Sequence, residues 1–212
     1  MGEILCFGDS NTYGLIPGTN DRYSRDIRWT GRIQERLRNQ GYNVIEEGLC
    51  GRTTVFDDEL RDGRRGSAFL PVLLESHKPL DIVILMLGTN DCKSYFNASA
   101  DVIGRGIEKL LQQVKASSTH IKILLISPIL LGEKVWKKEY DPEFNKESIQ
   151  TSMDLKTVYQ EIADQYSIEF LAASEIAKAS DNDQEHLDAE NHIKLADAIM
   201  QKLEELSWIG II

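Results

Sequence analysis

The stretch Cys6-Phe7-Gly8-Asp9-Ser10-Asn11-Thr12-Tyr13-Gly14 puts a serine directly after a short apolar run. Gly, Asp, Ser and Asn are all turn formers, so one reading is a strand that simply closes in a turn. The other reading is chemical: a tight turn at a strand end lifts a serine hydroxyl into a site where a base can activate it. That reading requires a base, a group to orient it, and donors for a developing oxyanion. Four histidines are available. His77 in SHKPLDIV and His120 in STHIKILL each stand just before an apolar run, and His192 stands beside the apolar stripe Ala196, Ile199, Leu203. His186 closes the polar loop Ser180-Asp181-Asn182-Asp183-Gln184-Glu185-His186. Asp183 lies three residues before it, a spacing that in a tight turn lets a carboxylate hold one ring nitrogen while the other faces a serine.

These residues can meet only if the fold brings their segments together. Short continuous apolar runs at Ile4–Phe7, Tyr42–Ile45, Asp81–Leu87, Ile121–Ile126 and, more weakly, Ile168–Leu171 suit strands buried on both faces of a parallel sheet. Helical patterns separate them, at about Thr30–Gln40, Ser67–Ser76, Ala98–Ala116 and Lys146–Tyr166. A last helix is expected at about Asp188–Leu206, and Gly41 is a helix stop. The alternation predicts a doubly wound α/β sandwich. In such sheets sites form beyond the carboxyl ends of the strands. Gly8-Asp9-Ser10-Asn11, Gly48-Leu49-Cys50-Gly51-Arg52 and Gly88-Thr89-Asn90-Asp91 each follow a strand and therefore share one edge, as does the His186 loop. His77 and His120 then belong to the opposite edge as surface residues, and His192 to helix packing or a polar boundary. The weakly patterned stretches Ile16–Ile27, Arg52–Gly66 and Pro128–Asn145 read as loops. In the last, Trp136 and Tyr140 suit either a pocket wall or plain surface.

Bulk properties narrow the partners. With 212 residues, 42% of them hydrophobic, and no repeat or linker, residues 1–212 are expected to form a single domain. A net charge of -10 argues against nucleic acid and anionic membranes as partners. No apolar run approaches the ~20 residues of a transmembrane helix, and the N-terminus has no signal-peptide pattern. Cys6, Cys50 and Cys92 have no CxxC spacing and read as reduced core residues of a cytoplasmic protein rather than metal ligands. The final residues Leu206–Ile212 include five large apolar groups, which suit either packing back onto the domain or a homo-oligomer interface.

Taken in order, FGDSNTYG, EEGLCGRTT, MLGTND and DNDQEH resemble the four blocks of the SGNH hydrolases, also called GDSL-type esterases. Arg28-Trp29-Thr30-Gly31 with EEGLCGRTT looks most like the small bacterial arylesterase/acyltransferase branch. The resemblance implies a flavodoxin-like three-layer α/β/α sandwich on a five-stranded parallel sheet. It implies Ser10 as nucleophile, His186 as general base and acid, and Asp183 as the orienting group. The oxyanion hole would comprise the Ser10 and Gly51 amides and the Asn90 side chain. Asp9, Asn11 and Tyr13 are the expected substrate contacts; Asn11 stands where the family commonly has Leu. No metal or organic cofactor is implied. The expected substrate is a small aryl or short-chain acyl ester, with hydrolysis or acyl transfer as outcomes. A carbohydrate O-deacetylase is the enzymatic alternative and would show a polar, open pocket. A non-catalytic flavodoxin-like binding domain is the third reading; it would need more acids at that edge and a lysine after the fifth strand.

Overall fold

The computed structural model describes residues 2–210. The apolar runs form strands β1 (Gly2–Gly8), β2 (Tyr42–Gly48), β3 (Ile82–Met86), β4 (Lys122–Ser127) and β5 (Glu169–Ala172). They build one parallel sheet in the order β2-β1-β3-β4-β5. Helices α2 (Trp29–Leu37), α3 (Gly66–Ser76), α4 (Ala100–Ser117), α5 (Lys146–Tyr166) and α6 (Ala189–Glu205) connect or follow them. One helical turn was not expected from the pattern: α1 (Ser10–Tyr13), four residues long, with Asp9 as its cap.

Alternate residues of the central strands face opposite layers. Leu5, Phe7, Val83, Leu85, Ile123 and Leu125 pack against α3, α4 and α5. Ile4, Cys6, Ile82, Ile84, Leu124 and Ile126 pack against α2 and α6. Both faces are therefore dry, which is why these runs are continuous rather than alternating in the sequence. This is the expected three-layer α/β/α sandwich. β5, at the edge, is only half-buried along most of its length, which accounts for its weaker signal. His77 caps the end of α3 and His120 is exposed before β4. Residues 16–27, 52–65 and 128–145 carry no helix or strand beyond isolated bridges.

The tail turns inward where it is described. Ile209 is buried in the α2–α6 layer, Trp208 packs beside it, and Tyr42 Oη donates to the Trp208 carbonyl at 3.1 Å. These two side chains are thus engaged within the chain; Ile211 and Ile212 lie outside the described residues. Among the described residues no helix is long and apolar enough to cross a membrane.

One charged cluster pins the loop after β1 to the sheet. Glu46 of β2 accepts from Arg28 Nε at 2.5 Å and Nη2 at 2.9 Å, and from Thr30 Oγ1 at 2.6 Å. Arg25 and Arg22 add ion pairs at 3.2 and 3.5 Å. Partial burial would raise the Glu46 pKa, but the hydrogen bonds from Arg28 and Thr30 and the charges of Arg28 and Arg22 outweigh it and hold it at about 2. A carboxylate with a depressed folded-state pKa stabilises the fold above its unfolded value and loses that contribution as pH falls toward the folded one. Acid unfolding should therefore include a component between about pH 4.5 and 2. Glu46→Gln should remove that component and cost about 1–3 kcal/mol near neutrality, read by urea melts across pH.

Candidate active site

The shared carboxyl edge follows from strand register. Gly8 pairs with Gly48 and with Met86, so the three glycine-bearing segments begin at the same level. Gly48 has no room for a side chain, because a Cβ there would overlap the Tyr13 amide nitrogen of α1. Arg52 locks the second segment to the first: its Nη1 donates to the Gly8 carbonyl at 2.9 Å and also to that of Glu47. Asp91 locks the third to the second by accepting from the Thr54 amide at 2.9 and 3.1 Å and from its hydroxyl.

On this platform Ser10 Oγ lies 2.8 Å from His186 Nε2, and His186 Nδ1 lies 2.8 Å from Asp183 Oδ2. Asp183 Oδ1 accepts from the backbone amides of His186 at 3.0 Å and Glu185 at 3.1 Å, so the carboxylate orients both the ring and its loop. The Gly18 amide donates to Asp183 Oδ2 at 2.9 Å. Burial alone would raise the Asp183 pKa, yet the His186 hydrogen bond and charge and the two loop amides hold it below the ordinary value.

Ser10 and His186 open onto a cavity of about 570 Å³ that Gly51, Asn90 and Tyr13 also line. Ser10 is the first residue of α1, so its amide has no acceptor within the helix. Gly51 has φ +80°, the left-handed region that favours glycine. Asn90 Nδ2 donates to the Arg52 carbonyl at 3.1 Å, and the second N–H of that amide group is left for a ligand. Ser10, Gly51 and Asn90 thus line one cavity. This arrangement can activate a hydroxyl, receive an oxyanion and return a proton to a leaving group.

Two of the expected substrate contacts, Asp9 and Asn11, do not line the cavity. Asp9 is buried, accepts from the Asn11 amide at 3.0 Å and does not line the cavity. Burial raises its pKa, against the Asn11 hydrogen bond, to about 7. The buried Asn11 side chain brackets His186. Its Nδ2 donates to the Glu185 carbonyl at 3.3 Å, and its Oδ1 accepts from the Leu187 amide at 2.9 Å. A leucine could make neither bond. Tyr13 does line the cavity. His192 sits buried on α6, where its Nδ1 accepts from the Trp29 amide at 3.3 Å; burial lowers its pKa to about 4.

Other lining groups carry no motif of their own. Arg61 and Arg64 come from the loop after Gly51, Lys93 follows Asn90, and Asp141 comes from the long loop before α5. Trp136 and Tyr140 do not line the cavity. Glu185 is a buried carboxylate whose Oε1 lies 3.8 Å from His186 Nε2. Only its adjacency to His186 could have flagged it in the sequence.

The chain belongs to the GDSL-like lipase/acylhydrolase family. That family's sequence model matches residues 6–201. Among solved structures, Est24, a carbohydrate acetylesterase from Sinorhizobium meliloti, is 39% identical with a TM-score of 0.89; the alignment covers 97% of this chain and 100% of that one. The M. smegmatis aryl esterase is 33% identical with a TM-score of 0.89 over 97% and 100% of the two chains. Among curated proteins no sequence match was found. The non-catalytic reading falls with this membership.

Two expectations follow for this family member. Burial would lower the His186 pKa, but the Glu185 charge, the Asp183 hydrogen bond and charge, and the Asp9 charge raise it to about 9. A base must be unprotonated, so kcat/KM for an ester should climb with pH through that range. Glu185→Gln removes a raising charge and should move the rising limb toward lower pH by about one unit or more. Asn11→Leu should lower kcat by about ten- to a hundredfold with little change in KM, because the histidine loop loses two buried hydrogen bonds. A thermal shift with unchanged kcat would make Asn11 structural only.

Proposed function

We propose that the chain is a serine esterase that cleaves small carboxylic esters with short acyl groups. The observation that carries this reading is the continuous Ser10–His186–Asp183 relay, at 2.8 Å for each step, opening onto a cavity that Gly51 and Asn90 also line. In the first step neutral His186 takes the Ser10 proton at Nε2 as Oγ attacks the ester carbonyl. The carbonyl oxygen becomes an oxyanion facing the Ser10 and Gly51 amides and Asn90 Nδ2; losing one such donor typically lowers turnover by roughly 10²–10³-fold. His186 then returns the proton to the leaving alcohol, which gives an acyl-Ser10 ester. Water, deprotonated by the same Nε2, attacks that ester and releases the acid, and Ser10 regains its proton. Asp183 stabilises the transient imidazolium throughout.

Transfer of the acyl group to an alcohol requires a site dry enough to let the alcohol outcompete water. The lining argues for hydrolysis: Arg61, Arg64, Lys93, Asp141 and Glu185 are ionisable groups that hold water in the cavity. The same polarity supports a second reading, in which the alcohol half is a hydroxyl-rich, carbohydrate-like group bearing an O-acetyl ester. The similarity to a carbohydrate acetylesterase points the same way.

An organophosphonate ester probe should label the wild-type chain once, at Ser10, and 4-nitrophenyl acetate should be turned over. Ser10→Ala should abolish both with its thermal unfolding nearly unchanged. Residual turnover at the wild-type rate in Ser10→Ala would end the proposal.

A further inference from the structure

The cavity carries more positive charge than the chemistry of ester cleavage uses. The chain as a whole has a net charge of -10, yet Arg61, Arg64 and Lys93 all line the space around Ser10. Glu143, on the long loop before α5, accounts for two of them: it accepts from Arg61 Nη2 at 3.1 Å with each oxygen and pairs with the buried Lys93 ammonium. Arg64 is left over. Its Nη1 donates to the Asp62 carbonyl at 2.6 Å, while its Nε is buried without a hydrogen-bond partner. No carboxylate pairs with Arg64 among the described residues. Arg64 lines the cavity, and a charged guanidinium without a carboxylate partner can take one from a ligand.

The position of this guanidinium is fixed and close to the reacting centre. The Arg64 carbonyl accepts from the Thr53 amide at 3.0 Å and from its hydroxyl at 3.3 Å, so the loop is held before any ligand arrives. A Cβ placed on Gly51 would lie 3.3 Å from Arg64 Nε and 3.1 Å from Arg61 Nη1. Both guanidinium groups therefore border Gly51. A planar fork of N–H donors suits a carboxylate held by paired hydrogen bonds.

We propose that Arg64, with Arg61 beside it, forms an anion-binding subsite against Gly51 that receives a carboxylate carried by the ester substrate. The substrate class is then a short-chain ester bearing a carboxylate: an O-acylated acidic sugar or hydroxy acid if the charge is on the alcohol half, or a hemiester of a dicarboxylic acid if it is on the acyl half. Asp141 and Glu185 also line the cavity and Glu143 pairs with Arg61 and Lys93, so the attraction for such an anion is local to the Arg64 guanidinium. The inference rests on the esterase reading above and narrows it.

Two pairs of probes separate the sources. Phenyl acetate against 3-acetoxybenzoate places the charge on the alcohol half; 4-nitrophenyl butyrate against the 4-nitrophenyl hemiester of glutarate places it on the acyl half. The full chain should prefer the charged member of one pair by kcat/KM. In Arg64→Gln that charged-to-neutral ratio should fall about tenfold or more, mainly through KM. Arg64→Lys should retain part of it, and added salt should weaken it. An equal loss for charged and neutral esters would overturn the subsite and make Arg64 a general contributor to oxyanion stabilisation; no charged preference in either pair would overturn it as well. Failure of the esterase reading looks different, with no turnover of any of the four esters and no phosphonate labelling. Calorimetric titration with glutarate then reads the subsite directly, and a Kd unchanged by Arg64→Gln would overturn it.

Discussion

A single hydrogen-bonding distance, 2.8 Å between Ser10 and His186, joins residues 176 apart in the chain, and much of the molecule exists to hold it. The serine stands at the end of a central strand and the histidine in the loop that follows an edge strand. Parallel pairing across the whole sheet makes their loops neighbours, since every strand delivers its next loop to the same edge. Fine positioning then falls to Asn11, whose one amide group grips the backbone on both sides of His186. Trp29 extends the chain of contacts: its indole N–H donates to the Asn11 carbonyl at 3.0 Å, and its own amide donates to His192 on α6. The nucleophile turn, the histidine loop and the two helices on that face are thus one hydrogen-bonded unit.

The electrostatics of the edge are set by burial as much as by pairing. Asp9, Asp91 and Glu185 are all buried, and burial pushes each above the ordinary carboxylate range, with Asp91 reaching about 6. Asp91 is offset by Thr54 and Asp9 by the Asn11 amide, so these two act as fasteners between loops. Glu185 differs, because it faces the cavity and the imidazole. In the proposed mechanism its charge would favour the imidazolium of both proton transfers, at the expense of a base that is free only at higher pH. Such a group trades resting availability of the base for stabilisation of the charged intermediate.

What could be read from the chain and what could not follows a physical line. β1, β3 and β4 are buried on both faces by two helical layers, so their apolarity is continuous and plain. The four blocks around Ser10, Gly51, Asn90 and His186 were legible through their resemblance to the family whose model matches residues 6–201. The helical turn Ser10–Tyr13 was not, since four residues carry no periodicity. The placement of Asp9 and Asn11 off the cavity was not legible for a related reason: sequence adjacency to Ser10 does not say which way a side chain points. Within a helical turn, neighbouring residues face different directions, and only Ser10 and Tyr13 of this stretch reach the cavity. The apolar tail was ambiguous because hydrophobicity says that a residue will be covered without saying by what.

The loops that were hardest to read are the ones that shape the cavity. Residues 52–65 and 128–145 have no period, because their form is set by individual side-chain bonds instead of a repeating backbone pattern. Glu143 shows the consequence. From the second of these loops it engages Arg61 of the first and Lys93 after β3, so three separate segments share one carboxylate. Removing that carboxylate would free two cations at once and make the cavity more positive, while leaving Ser10, His186 and Asp183 in place. In the proposed reading, the reacting atoms and the selecting atoms would sit on separable parts of the fold: the first on short turns at strand ends, the second on long loops coupled through ion pairs. On that reading, a change of substrate would need only a change in those pairs, with the hydrogen bonds from Asp183 to Ser10 untouched.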